Sequence, residues 1–353
     1  MSRSTALLAA VLCGACATDG EFLPYELEPH GQPSWGVTQV QDPKPEPAAP
    51  TEVAPVVEVS VPEQPAPSSE EAAEWDPFLD RLIGMWDTTG EVTHDGVAAP
   101  FTASQRTDRV GSLLRSTYRT TDGMEYEGVG YWRPMGKDTW QVLWLDSGGD
   151  SHLGVARREV DLVVAEYQTL GTDKTFRHSI LTHAEGVLET YSTVPGPDGG
   201  WIPSAKSTFA PAMGGLPSMP PVEGTHDPVL LDMEGRWQIG QEGGSRALGE
   251  MEMVIDMGGL WLSQGGGRPE QGGFHHTRHS VDTDLYLDWM IETDGSAFQQ
   301  SEGRVVDGTL VFTTPATGLR QTMTLPVGDA FEVLAEMDGQ THRFFFTRLS
   351  DSP

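Results

Sequence analysis

The side chains best suited to chemistry lie in FHHTRH, residues 274–279. If this segment is a strand, His275 and His279 share one face with Thr277 between them, while His276 and Arg278 take the other. His275 and His279 are therefore the candidate metal ligands. Strand residues four apart are separated by about 13 Å, however, too far to share one ion without a fold in the backbone. A calcium site or an acid/base pair would have to be assembled from Asp146, Asp150, Asp282, Asp284 and Asp288. Their spacing does not match an EF-hand loop, and aspartate in turns bonds its own backbone. There is no G-x-S-x-G, nucleotide-binding glycine loop, zinc-protease helix or cysteine nucleophile. No catalytic residue is assigned and no cofactor is expected, so an enzyme would rest on the loose histidines alone.

The elements that position these residues are announced by an internal echo. DPFLDRLIGMW from Asp76 aligns without a gap on DPVLLDMEGRW from Asp227, pairing Pro77 with Pro228, Leu79 with Leu230, Gly84 with Gly235 and Trp86 with Trp237. Each copy opens with Asp at a helix N-cap and Pro at the first helical position, then a short apolar turn ended by glycine. Short strands bounded by Gly, Asp or Pro follow, with no helical period of useful length. In DLYLDWMIE, Leu285, Leu287, Trp289 and Ile291 share the apolar face opposite Tyr286, Asp288 and Met290; Trp140, Val142 and Trp144 share a face likewise. HRFFFTRL reads as a closing strand, and SQGGGRPEQGG, Ser263 to Gly273, as a hairpin tip. Many short antiparallel strands, repeated twice, predict an all-β chain of two closed barrels of eight to ten strands, because closure removes sticky edges.

The chain has 353 residues and a formal charge of −30, with acids outnumbering bases more than two to one. Nucleic acid is therefore excluded as a partner, since phosphate binding is driven by Lys and Arg. The two cysteines, Cys13 and Cys16, close STALLAAVLCGAC, where Arg3 precedes an apolar run too short to span a bilayer. That ending resembles the bacterial lipobox, although Cys13 stands where Leu is usual. The resemblance implies a lipoprotein signal peptide over 1–15, lipid on Cys16 and the periplasmic side of the outer membrane. From 16 to 74 the chain turns rich in Pro and Glu, as expected of a disordered, extended acidic tether. A first barrel over 75–210, a Pro/Gly linker over 211–226 and a second barrel over 227–350 complete the division.

Leu82, Gly84, Trp86, Gly128, Gly130, Tyr131, Trp144, Asp146 and Gly148 of the first copy resemble the bacterial lipocalin-like domain-of-unknown-function family 1579. The second copy keeps Gly235, Trp237, Gly258, Gly259 and Trp289 and departs at GFHHTRH. The resemblance implies a calycin-type antiparallel barrel and lends no activity. It also implies that Trp86 and Trp237 plug the closed barrel ends, so that Trp237→Ala would unfold the second barrel without touching the first. His342, in the last strand, is a lone counterpart of the haem ligands of related small barrels.

These features point to an envelope-anchored lipoprotein whose barrels bind a small apolar ligand, with Trp140, Trp144, Trp289 and Tyr131 as candidate cavity residues. The alternative is a ligand-free structural or interaction module that meets another envelope protein. A large interior cavity favours the first reading and a filled interior the second.

Overall fold

The computed structural model describes residues 75–350, apart from 95–96, 124, 184–185, 217–226, 245–246, 258, 267–271, 282, 297 and 338. Cys16, the signal segment, the tether and Asp282 lie outside the described residues. The first copy runs β1 Gly84–His94, β2 Val97–Val110, β3 Leu113–Asp122, β4 Glu127–Gly136, β5 Thr139–Asp146, β6 Ser151–Glu159, β7 Leu162–Thr169, β8 Thr175–Thr182, β9 Leu188–Pro195 and β10 Trp201–Pro211. The second runs β11 Gly235–Gln241, β12 Gly249–Asp256, β13 Trp261–Gly266, β14 Gly273–Ser280, β15 Leu285–Glu292, β16 Phe298–Val306, β17 Thr309–Thr314, β18 Leu319–Thr324, β19 Ala330–Met337 and β20 Gln340–Arg348. Each set of ten closes on itself as an antiparallel meander, β1 pairing with β10 and β11 with β20. The chain is thus all-β, two barrels in tandem, as the pattern predicts.

The two Asp-Pro openings fold to different lengths. Asp227 caps helix α1, Pro228–Met233, by accepting from the Val229 and Leu230 amides. Asp76 accepts from the Phe78 amide, and Leu79–Arg81 makes a single 3-10 turn. Both lead to the same device. The Trp86 indole donates to the Leu82 carbonyl at 3.0 Å, and the Trp237 indole to the Met233 carbonyl at 2.8 Å. Each tryptophan is thereby fixed under its helical turn at one end of its barrel.

The barrels share a core. Val110, Leu113, Val129, Tyr131, Leu143 and Leu145 of the first pack with Met257, Trp261, Phe274, Trp289, Ile291 and Phe298 of the second. These are outward-facing residues, so β4, β5 and β15 are apolar on both faces. The strand register relates the two sides by a pseudo-twofold. Tyr131 pairs with Leu143 and His276 with Trp289, and the β-turns that follow, Gly149 N to Asp146 O and Gly295 N to Glu292 O, are equivalent. Tyr131 therefore corresponds to His276. Leu143 corresponds to Trp289, and Arg133 to Arg278. The β2–β3 turn of the first barrel meets the β15–β16 turn of the second through Ser112 N and Thr293 O. Reciprocally, Trp261 of β13 donates its indole N–H to the Asp146 carbonyl after β5 at 2.9 Å. The plugged end of each barrel thus lies beside the far end of the other.

On the pseudo-axis the Tyr131 hydroxyl meets His276 Nε2 at 2.6 Å. His276 Nδ1 lies 2.7 Å from Ser263 Oγ, which donates to Asp256 Oδ1 at 2.7 Å. Burial holds the His276 imidazole neutral, well below its ordinary pKa. A neutral ring that accepts from Tyr131 must carry its proton on Nδ1 and donate it to Ser263, so every hydrogen bond in the chain points one way. Tyr131→Phe leaves His276 Nε2 buried without its donor, and the expected loss is about 1–3 kcal/mol in urea unfolding. An unchanged midpoint would show that the bond contributes nothing.

Candidate ligand cavity

Inside the first barrel is a cavity of about 290 Å³ that runs from Leu82 beside the plug to Val92 and Ala205 near the far ends of β1 and β10. One side of its wall is aromatic, with Trp132, Trp144, Tyr167 and Phe176. Tyr167 and Phe176 are stacked at 4.8 Å, and the His152 ring meets the edge of Phe176. Trp144 lies over β4 so closely that a Cβ on Gly128 or Gly130 would come within 2.4 or 2.6 Å of its ring. The two glycines of the Gly-x-Gly-Tyr step therefore make room for this indole. Its N–H donates to the Tyr126 hydroxyl at 2.7 Å, which lies 3.5 Å from Asp146 Oδ2.

A polar patch comes from β8 to β10, set among apolar residues of the same strands such as Ile180, Leu188 and Phe209. His178 pairs with Ser192, and Thr190 with Ser207, in adjacent strands. His178 Nδ1 is 3.0 Å from Ser192 Oγ. Burial pushes the His178 imidazole down to about 4 from an ordinary 6.5, so it is neutral at physiological pH.

The second barrel has the same topology and almost no space, about 50 Å³. The register explains the difference position by position. Where the first barrel has Ser207, Thr190, Ser192 and His178, the second has Phe344, Val333, Ala335 and Gln321. Ala165 is matched by Phe312, Gln105 by Met251 and Thr107 by Met253. Phe344, Phe312, Met251 and Met253 thus fill volume that Ser207, Ala165, Gln105 and Thr107 leave open, whereas Ala335 and Gln321 add none.

The sequence-selected residues divide accordingly. Trp144 lines the cavity. Trp140 is fully buried beneath it, with ring centres 6.0 Å from both Trp132 and Phe78. Tyr131 and Trp289 are not cavity residues: both point out of their barrels into the shared core, and the Trp289 indole donates to Ser151 Oγ at 3.1 Å. The apolar face of β15 is thus the docking face, whereas Tyr286 and Met290 belong to the interior. The histidines go to separate carboxylates. His275 Nδ1 is 3.4 Å from Asp288 Oδ2 inside the second barrel, and His279 lies 2.9 Å from Asp227 and 3.2 Å from Asp284, stacked on Tyr286. Asp146 is a turn residue, accepting from the Gly148 and Asp150 amides. Asp288 is not: it is buried, and accepts from the Thr277 hydroxyl at 2.8 Å. His178, Thr190, Ser192 and Ser207 escape sequence reasoning, because a polar inward face reads as a solvent face.

Histidines and carboxyls shifted by burial act in opposite senses on the pH response. The unfolded chain binds protons on His178 and His276 near 6.5, whereas the folded chain binds them only at lower pH, at about 4 for His178. Their contribution is complete above pH 6.5 and is lost as pH falls toward 4. Asp256 opposes this, since burial raises its carboxyl from 3.8 to about 7 and its contribution is lost as pH rises through that window. Burial raises the Glu292 carboxyl too, so it acts in the same sense as Asp256. His178→Gln, which installs the residue of the second barrel, is expected to raise urea-unfolding stability at pH 5 relative to pH 6.5 by about 1–2 kcal/mol. Identical slopes for variant and parent would refute the assignment.

No protein-family model matches the chain, and no curated protein does. Among solved structures, Rv2717c from M. tuberculosis is similar with TM-score 0.33 and 16% identity, over 38% of this chain and 95% of that one. A DUF3598-family protein of unknown function from Nostoc punctiforme gives TM-score 0.19 and 10% identity, over 78% and 99%. A Bacteroides fragilis protein provisionally named as an outer membrane protein gives 0.20 and 11%, over 76% and 98%. At such TM-scores these likenesses carry no weight for function.

Proposed function

We propose that the first barrel binds a small, mainly apolar molecule and that the second is a filled scaffold docked against it. The supporting observation is the contrast in volume, about 290 Å³ against about 50 Å³, between barrels of one topology. A volume near 300 Å³ is at the lower end of small-molecule sites, and such sites are mostly apolar with a few placed polar groups. Native mass spectrometry of the purified chain before and after delipidation tests the reading. A bound small molecule released by delipidation is expected; none in either preparation would overturn it.

The same proposal places the barrels at the cell envelope, held by lipid on Cys16 through the acidic tether of 16–74. Its support is the sequence of the first segment, with a short apolar run ending in small residues and cysteine. Metabolic labelling with an alkyne fatty acid is expected to mark the chain and to fail in Cys16→Ser. Equal labelling of both would reject the anchor.

A further inference from the structure

We infer that the cavity of the first barrel selects an uncharged ring compound carrying one hydroxyl or carbonyl group, held by its apolar body against the aromatic wall and by that group against Thr190, Ser207 and His178. This inference rests on the reading of the first barrel as a carrier and adds the chemical class of what it carries.

Three observations lead to it. First, no Asp, Glu, Lys or Arg among the described residues lines the cavity. The charges of its polar strands alternate outward and are engaged there: Arg177 with Glu166, Glu189 with the Tyr191 hydroxyl, and Lys206 over the Tyr191 ring. An ion inside would lose its hydration and meet no opposite charge.

Second, the polar groups that do face the cavity divide into engaged and free. Gln105 Nε2 donates to Thr107 Oγ1 at 2.9 Å and Thr107 lies 3.0 Å from Ser116 Oγ, so that side is occupied with itself. Across the barrel, Thr190 and Ser207 are 5% and 8% exposed, and neither hydroxyl has a hydrogen bond among the described residues. His178 uses Nδ1 on Ser192, and its Nε2 has no partner among the described residues. The two hydroxyls are neighbours in the register and line one space, from which a guest can reach them. A single hydroxyl or carbonyl group, which both donates and accepts or accepts alone, satisfies two of them together.

Third, Trp132 and Trp144 on β4 and β5 lie across the barrel, and Tyr167 and Phe176 stand beside His178, surfaces against which a flat ring packs.

The test is calorimetric titration of the chain at pH 7.5 with three probes of similar size: 2-naphthol, naphthalene and 2-naphthoate. Naphthol is expected to bind about tenfold tighter than naphthalene, the worth of one well-placed hydrogen bond. Naphthoate is expected to bind at least about 100-fold more weakly than naphthol, because its charge enters unpaired. In the double variant Thr190→Val/Ser207→Ala, which carries the equivalent valine of the second barrel at one position, naphthol should fall to the level of naphthalene while naphthalene binds as before. Naphthoate binding as tightly as naphthol would overturn the neutral class yet leave the carrier reading standing. Naphthol and naphthalene binding alike in the parent chain would overturn the polar anchor. If none of the three binds, the inference fails, and native mass spectrometry then decides separately whether the carrier reading fails with it.

Discussion

Trp237→Ala is expected to lower one thermal transition common to both barrels, not to unfold the second barrel alone. Trp237 is fully buried, and its indole ties the end of α1 to the barrel through the Met233 carbonyl. Phe331 meets its ring edge-on at 4.8 Å, and the Arg348 guanidinium lies 4.3 Å above its centre. That guanidinium donates to the Asp232 and Glu234 carbonyls, so removing the ring loosens the helix, the end of β20 and the plug together. A large-to-small change at such a site costs about 3–5 kcal/mol. The shared core then decides how the loss spreads. If the second barrel unfolded by itself, Tyr131, Leu143, Leu145 and Val129 would lose the apolar surface they are packed on, and the first barrel would expose them to water. Independent unfolding, which two tandem repeats suggest, therefore carries an added cost that favours cooperative loss of both. Trp86→Ala, at the equivalent plug, should shift the same transition. Scanning calorimetry that resolves two transitions, one of them unmoved by Trp237→Ala, would show that the interface does not couple the barrels.

The parts of this architecture that were legible in the sequence are those with a strict local requirement. Gly84 and Gly235 have φ of 142° and 130°, a region open to glycine, and each precedes by two residues a tryptophan that must reach back to a helical turn. Such a requirement survives in both copies as Gly-x-Trp and gives the repeat away. Alternation gives the strands, and closure follows from the many short neighbours. On β5 it picks the interior face, Trp140, Val142 and Trp144, but it fails on β15 for a physical reason: a strand between a barrel interior and a second barrel is buried on both sides, so the more apolar face need not point inward. WQVLWLD, with apolar residues at both parities, carries that signal as a continuous run. The cavity was hidden by the opposite effect. Thr190, Ser192 and Ser207 look like residues facing water, and only the barrel's closure shows that the water-like side is inside.

The last expectation uses the duplication as its own control. Ser207→Phe copies Phe344, the residue at the equivalent position of the second barrel, where the same meander accommodates a phenyl ring at 1% exposure. In the first barrel the ring would enter the space between Thr190, whose counterpart is Val333, and Phe101, which lies across Gly90 from Ser207. The cavity takes the new ring, which packs against the tip of the Phe101 ring, and apolar burial should offset the loss of one unpartnered hydroxyl. Thermal stability is expected to be unchanged or raised by about 1 kcal/mol, in contrast to the penalty usual for enlarging a packed core residue. Small-molecule binding is expected to vanish, both as co-purified mass and in titration. The pairing of these outcomes is what gives the variant its force. Lost binding with lost stability would mean that the 290 Å³ is already occupied by packing, not held open for a guest. Retained binding with a stable fold would move the ligand out of the barrel altogether. Only a stable chain that no longer binds assigns the guest to the space that Ser207, Thr190 and His178 leave open.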